Sequence, residues 1–382
     1  MEVDILNIPK LRFKDNNGND YPQWEKKKLG DIVQFLDNKR KPLEQSERIH
    51  GKYPYYGASG IIDYINNYIF DEELVLLSED GANIIDRNYP ICYIATGKYW
   101  VNNHAHVLKT KSQYLNKFLC EALERLNYNK YNTGTAQPKL NQDICKNILL
   151  NIPILHEQEK IANFFSTIDK KIKNLANTIT SLENQKKGLL QQIFSQKLRF
   201  KDKNGNNYPN WKKKKLGDLF TIKAGGDINK ENFSEQYSIE FKYPVYANAL
   251  TNNGLYGYSN IYKIDKPSIT VTGRGINVGF ALSREPFYYP IVRLLVLIPN
   301  ININFTFFTE SINFIHIFNE STGVPQLTAP QLSKVNVYVP NIEEQNKIGN
   351  LFDKLNEKID NKKAQLEHWQ QIKKGLLQQM FV

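Results

Sequence analysis

The chain has 382 residues, with 50 Lys plus Arg against 39 Asp plus Glu, a formal net charge of +11 and a pI of about 9.2. That length holds two ordinary hydrophobic cores, and the positive balance favours a polyanionic partner, because Lys and Arg neutralise phosphate. Three widely spaced cysteines (Cys92, Cys120, Cys145) exclude a disulfide framework, and the most apolar short run, 291–298, is too short to span a bilayer and carries Arg293. The start, MEVDILNIPK, lacks the basic opening and long apolar stretch of a signal peptide, so a cytoplasmic protein without a membrane partner is expected. The 22 Tyr and 20 Phe, interleaved with Asn, Gly and Lys, fit β-rich recognition domains better than a helical bundle.

Residues 1–19 form an N-terminal segment whose second half opens a repeat. LRFKDNNGNDYPQWEKKKLGDIV (11–33) recurs as LRFKDKNGNNYPNWKKKKLGDLF (198–220), identical at 17 of 23 positions and offset by 187. A first mixed head covers 20–152. Its strand-like runs ELVLLS (73–78) and YPICYIAT (89–96) are separated by the turn signals SEDGAN, ATGK and NTGTAQP, and a helix is expected near 116–126. A helical segment, 153–197, follows. The second head, 198–339, offers SITVTG (268–273), IVRLLVLI (291–298), which reads as a buried strand, and TFFTESINFIHIF (306–318). A second helical segment covers 340–382.

The two heads share sparse landmarks, YPYY (53–56) with YPVY (243–246) and GTAQ (134–137) with GVPQ (323–326). Their ends match far better: HEQEKIANFF (156–165) with EEQNKIGNLF (343–352), and KKGLLQQIF (186–194) with KKGLLQQMF (373–381). A frame kept twice around a varied centre reads as one scaffold presenting two different readers.

In the first helical segment an apolar seam runs Ile161, Phe165, Ile168, Ile172, Leu175, Ile179, Leu182, Lys186, Leu189, Ile193. In the second it runs Ile348, Phe352, Leu355, Ile359, Lys362, Leu366, Trp369, Lys373, Leu376, Met380. Steps of four and three alternate, which is the coiled-coil period. Lys186 and Lys373 interrupt the seams at equivalent places. Such seams cannot bury themselves, so the helices are expected to pack together. The repeat implies pseudo-two-fold symmetry, hence antiparallel helices with a head at each end. The fold class is α+β: two mixed, β-rich heads joined by two long antiparallel coiled-coil helices.

The signatures of catalysis are missing. There is no G-x-x-x-x-G-K-[ST] loop, and GRGINVG (273–279) has the wrong last gap for a dinucleotide fingerprint and reads as a β-turn. His104 and His106 would share one face of a strand, as metal ligands can, but no third ligand is evident and a structural pair is the better reading. The E-x-K fragments Glu240–Lys242 and Glu25–Lys27 are short enough to arise by chance, and Glu25 becomes Lys212 in the second copy. No NPPY-like tetrapeptide of an amino-methyltransferase occurs. No catalytic residue, metal or cofactor is expected.

Binding is better supported. Candidate DNA contacts in the first head are Lys52, Arg87, Lys98, His104, Tyr131, Thr135, Gln137 and Lys139. In the second they are Lys242, Asn248, Arg274, Asn277, Arg284, Thr322 and Gln326. They combine cations with Asn, Gln, Thr and Tyr, which hydrogen-bond phosphates and base edges, although each can equally be a solvated loop residue. Arg274 stands out, because flanking glycines let a turn present its guanidinium closely. The lysine runs 26–28 and 212–215 read as solvated helix starts, with phosphate contact as the lesser reading. The recurrence of the helices' outer faces points to a partner touching both copies alike, with Gln158, Lys160, Lys187 and Gln191 in one copy and Gln345, Lys347, Lys374 and Gln378 in the other.

Taken together, the head starts at Tyr21 and Tyr208, the head-closing GTAQPKL and GVPQLT, the helix starts at Pro153 and Pro340 and the KKGLLQQ ends resemble the DNA specificity subunit of type I restriction–modification systems. The resemblance covers essentially the whole chain and is specific through the order and duplication of its motifs. After the shared Gln, the spacing of the two head-closing loops differs. The resemblance implies a non-catalytic subunit with two target-recognition domains, each reading one part of a split double-stranded DNA sequence. It further implies two methyltransferase (modification) subunits as partners, together with restriction subunits that translocate and cleave DNA. The alternative is a duplicated protein-interaction scaffold whose positive charge serves solubility.

Overall fold

A computed structural model describes residues 9–111, 113–275, 277–315, 317 and 326–381. These fall into two compact units, Met1–Ala176 with Ala364–Val382, and Asn177–Lys363.

In the first unit the head runs β1 (Glu25–Lys28), α1 (Leu29–Ile32), β2 (Val33–Phe35), β3 (His50–Gly57), β4 (Gly60–Ile65), β5 (Phe70–Asp71), β6 (Leu74–Ser78), α2 (Asn83–Asp86), β7 (Cys92–Ala95), β8 (Lys98–Val101), β9 (Ala105–Thr110), α3 (Gln113–Arg125), α4 (Gln142–Lys146) and β10 (Leu149–Ile152). The long helix α5 (Leu155–Phe194) follows. The head has an antiparallel sheet β2-β9-β6-β7, which supplies Val33, Val75, Leu77 and Leu108 to the main core, and a mixed sheet β4-β3-β8-β5. Strand β6 is buried along its whole length, because it is central in its sheet and Phe118, Leu119 and Leu123 of α3 share its core.

The second head runs β11 (Lys212–Lys215), α6 (Leu216–Leu219), β12 (Phe220–Ala224), β13 (Phe233–Ser234), β14 (Tyr243–Tyr246), β15 (Leu255–Ser259), β16 (Ser268–Thr272), β17 (Ala281–Arg284), β18 (Tyr289–Pro290), β19 (Leu294–Pro299), α7 (Phe305–Ile315), α8 (Ala329–Ser333) and β20 (Asn336–Val339), then the long helix α9 (Ile342–Met380). Its sheet β12-β19-β16-β17 repeats β2-β9-β6-β7 and its strands β15-β14-β18 repeat β4-β3-β8, but the fourth strand is β5 beside β8 in the first head and β13 beside β15 in the second. The shared YPYY and YPVY lie in β3 and β14, each flanked by one antiparallel and one parallel neighbour.

One apolar run gains its element here, and the two lysine runs differ from the sequence reading. The apolar run at 306–318 is helical over Phe305–Ile315: Asn304 Oδ1 accepts from the Phe307 amide at 2.9 Å as an N-cap, and Phe307, Phe308, Ser311 and Ile312 are buried on one face. The lysine runs are strands rather than helix starts. β1 pairs with β10 and β11 with β20, leaving their side chains exposed.

Every expected seam position of both helices is buried or half-buried. Within the first unit the start of α5 runs antiparallel to the end of α9, with Phe165 6.0 Å from Phe381 between ring centres and Asp169 paired to Lys373 at 2.8 Å. Within the second unit the end of α5 meets the start of α9 in the same sense, with Phe194 6.3 Å from Phe352 and Glu183 paired to Lys363 at 2.7 Å. Each head is therefore sealed by a KKGLLQQ-F end: Met380 and Phe381 join Trp24 and Phe118, while Ile193 and Phe194 join Trp211 and Phe307. The amide of Leu11 donates to Gln379 O at 3.0 Å, and Leu198 to Gln192 O at 3.0 Å, one contact made twice.

The recurrence of the helix starts has an internal cause. Glu157 is fully buried and accepts from Arg12 (2.8 and 2.7 Å) and Trp24 Nε1 (3.1 Å). Glu344 does the same with Arg199 (3.1 and 2.7 Å) and Trp211 (3.1 Å). A buried carboxylate persists only when paired and hydrogen-bonded, so all three residue types are held together in both copies. The seam lysines are paired too. Lys373 reaches Glu121 (3.0 Å), which also binds Lys117, and Lys186 reaches Glu310 (2.6 Å). In both units a lysine of the long helix thus locks onto a glutamate of the head's own helix.

Because each sealing ring is buried, Phe381→Ala and Phe194→Ala should each cost roughly 3–5 kcal/mol. Hydrogen exchange is expected to locate the lost protection in the first unit for Phe381→Ala and in the second for Phe194→Ala. Equal losses in both units from either change would contradict this assignment.

Candidate nucleic-acid interface

The described candidate contacts divide into residues committed inside their unit and residues left exposed. Arg87, in the left-handed region at φ 53°, donates to Leu126 O (3.0 Å), Glu124 O (2.6 Å) and the Glu124 carboxylate (2.7 Å). Arg284 is buried, donating to Thr270 Oγ1 (2.9 Å) and Asn253 O (2.7 Å) with its guanidinium 3.8 Å from the Tyr246 ring centre. Arg87 is half-buried and Arg284 buried, and each commits donors to acceptors of its own head. Half-buried Tyr131 packs on the first core against Tyr128. Asn248 acts as a bracket: its Oδ1 accepts from the Gly273 (2.7 Å) and Arg274 (3.2 Å) amides, and its Nδ2 donates to Arg274 O at 2.8 Å.

Thr135, Gln137, Lys139, Lys52, Lys98, Lys242, Arg274, Asn277 and Gln326 are exposed. Lys52 and Lys242 sit over the adjacent rings of Tyr53 and Tyr243, at 5.3 and 5.2 Å, and Lys98 over Tyr68 at 4.5 Å. Thr322 lies outside the described residues. Among the proposed interface positions, Gln158 and Gln345 are buried and donate to Pro153 O (2.7 Å) and Pro340 O (3.0 Å). Lys160 and Lys347 donate to Lys14 O and Lys201 O at 2.7 Å. These four brace their own unit, whereas Lys187, Gln191, Lys374 and Gln378 are exposed.

His104 and His106 do not share a strand face. His104 lies in the turn before β9, half exposed, with Nδ1 2.8 Å from Asp80. His106 lies in β9 and is buried, with Nδ1 2.7 Å from Asp37 and Nε2 2.7 Å from Leu140 O. A carboxylate on one side and a carbonyl on the other require protons on both nitrogens. Arg40 pairs with Glu79 (2.5 Å) and Asp37 (3.4 Å), and Gln142 donates to Asp37 at 2.8 Å. Asp37, Glu79 and His106 offer ligand atoms within 4.8 Å of one another, but the imidazolium and Arg40 already balance the carboxylates, so this fits an internal ion cluster better than a metal site. The cluster fixes the head-closing loop through Leu140.

That loop closes on the end of the neighbouring strand in both heads. Asp80 bridges Lys139, and Arg274 bridges Gln326, each as an isolated antiparallel pair. The sequence match of GTAQ to GVPQ aligns Gln137 with Gln326, whereas the bridges within each head make Lys139 the counterpart of Gln326, which restores the 187-residue offset.

Comparison with known proteins agrees with this duplicated plan. Residues 21–184 and 208–369 each match the profile of the type I restriction modification DNA specificity domain. The chain belongs to that family. A protein of Mycoplasma pneumoniae named as a type I specificity subunit is 27% identical over 334 residues, covering 86% of this chain and 88% of the relative. The MjaVIII specificity subunit of Methanocaldococcus jannaschii is 23% identical over 411 residues, covering 96% and 94%. The crystal structure of an S subunit from M. genitalium shares the fold, with a TM-score of 0.70 at 20% identity over 98% of this chain and 99% of that one. Sequence-specific DNA recognition is the family's work, and nothing favours the duplicated-scaffold alternative. No helix among the described residues is long and apolar enough to cross a membrane.

The ion cluster carries a pH signature. Burial disfavours a charged His106, but its interactions with Asp37 and Cys145 outweigh that and push its pKa from 6.5 up to about 10. A raised pKa adds stability that is complete below about pH 6.5 and is lost as pH rises through about 10. Asp37 is held below its ordinary 3.8 by His106, the Val107 amide and Arg40 despite burial, so its contribution is lost only on strong acidification. Urea unfolding of the first unit should therefore be flat near pH 5–6 and weaken between about pH 6.5 and about pH 10. A His106→Gln variant should lack most of that slope. An unchanged slope would exclude His106 as its source.

Proposed function

We propose that this specificity subunit is the non-catalytic reader of a bipartite DNA target. Each head recognises one part, and the long helices serve as spacer and docking platform for two methyltransferase subunits and, through them, restriction subunits. The observation that carries the reading is one head plan occurring twice, on the same helical ends, with different exposed side chains on its closing loops. Methyl transfer from S-adenosylmethionine and ATP-driven translocation belong to the partners, so this chain needs no cofactor of its own. The exposed Lys187, Gln191, Lys374 and Gln378, repeated on the two helices, are the docking positions that remain available. The cytoplasm, where chromosome and partners meet, is the place for such a subunit.

Phosphate contacts supply salt-dependent affinity and base contacts supply sequence. Joining two weak readers on one chain makes the second binding event intramolecular. Replacing residues 20–152 by the corresponding head of another family member should change one part of the selected target and leave the other part untouched. Selection of bound duplexes from a randomised pool reads this directly, and a change in both parts would refute independent reading.

A further inference from the structure

Three chain segments meet at the closing loop of each head through the same backbone hydrogen bonds. In the first unit the Glu79 amide donates to His104 O at 2.9 Å and the Leu140 amide to Glu79 O at 2.7 Å. In the second, the Gly273 amide donates to Arg293 O at 2.8 Å and the Leu327 amide to Gly273 O at 2.8 Å. The strand registers agree: Ser78 faces Ala105 as Thr272 faces Leu294. A glycine with positive φ follows in both, Gly81 at 108° and Gly275 at 89°. Asp80, His104 and Lys139 therefore occupy the same three places as Arg274, Arg293 and Gln326.

The frame is constant, and none of the three side chains is. That is the opposite of the buried clamp, where Arg12, Glu157 and Trp24 recur unchanged as Arg199, Glu344 and Trp211. A set kept for packing retains its residue types, whereas positions that read different ligands from one frame must change them. The second set is exposed, and Arg274 and Arg293 make no ion pair among the described residues. Arg293 holds a left-handed backbone at φ 75°, a conformation that a non-glycine residue adopts only under constraint. In the first set Asp80 fixes His104 through Nδ1, and Lys139 stands beside them, 3.4 Å from Glu79.

We infer that these two sets of three are the base-reading positions of the two heads, and that the second head reads guanine through Arg274 and Arg293. Guanidinium forks match the O6 and N7 acceptors of guanine in the major groove. Asp80 and His104 instead give the first head an acceptor directed at an exocyclic amine, so the two parts of the target differ. This rests on the proposed function and assigns its chemistry.

The test is selection of bound duplexes from a randomised pool by the full-length chain and by R274A, R274K, R293A and H104A. Wild type should enrich a two-part motif with guanine in one part. R274A and R293A should each reduce the preference for guanine at one position of that part by roughly 10- to 100-fold, leaving the other part intact. R274K should behave like R274A, because lysine keeps the charge and loses the fork. H104A should relax a position in the other part. The inference is overturned if R274K retains the preference, if the arginine variants lose all sequences equally, or if every position survives. A wild-type pool without a two-part motif would sink the underlying function instead, so the two failures can be told apart.

Discussion

A helix of 40 residues with an apolar seam interrupted only at Lys186 must bury that seam against another surface, and in each unit that surface is the far end of the other long helix. The head cores depend on this arrangement. Without Phe381 the first core loses a ring that touches Trp24, Phe118 and Phe165, and without Phe194 the second loses contacts to Trp211, Phe307 and Phe352. The buried carboxylates Glu157 and Glu344 add direction to the apolar seal. Each ties a helix start to an arginine and a tryptophan from the segment that opens the head, so helix and head hold one geometry.

This coupling explains which parts of the fold were legible in the sequence. The seam, its antiparallel pairing and the repeated ends are periodic or duplicated, and periodic signals survive without tertiary context. The central strands β6, β16 and β19 were legible from their apolar runs. The run at 306–318 was left without an element, because phenylalanine and isoleucine serve a buried helix face as well as a strand. The lysine runs were misread for a related reason: an edge strand with exposed side chains shows no apolar alternation.

The candidate site was only partly legible. Arg274, Gln326, His104 and Lys139 are exposed, whereas Arg87 is half-buried and Arg284 buried, each bonded within its own head. Nothing local distinguishes an arginine facing solvent from one facing the carbonyls of a neighbouring helix end. Arg293 carried a signal, a charge interrupting an apolar run just before a strand, which gains meaning only when β9 and β19 are superposed by register. The glutamines and lysines at the helix starts recur for a reason that local sequence hides: Gln158, Lys160, Gln345 and Lys347 bond within their own unit, whereas Lys187, Gln191, Lys374 and Gln378 are exposed.

One frame used twice, with its braces fixed and its exposed positions changed, is a physical route to two specificities in a single chain. Sequencing DNA methylation in cells that carry the modification subunit, with and without this chain, tests that idea most directly. The expected result is adenine methylation at a motif of two unlike specified parts around an unspecified gap of constant length, disappearing when the chain is removed. Methylation that persists unchanged in its absence, or a motif with a single continuous part, would contradict it.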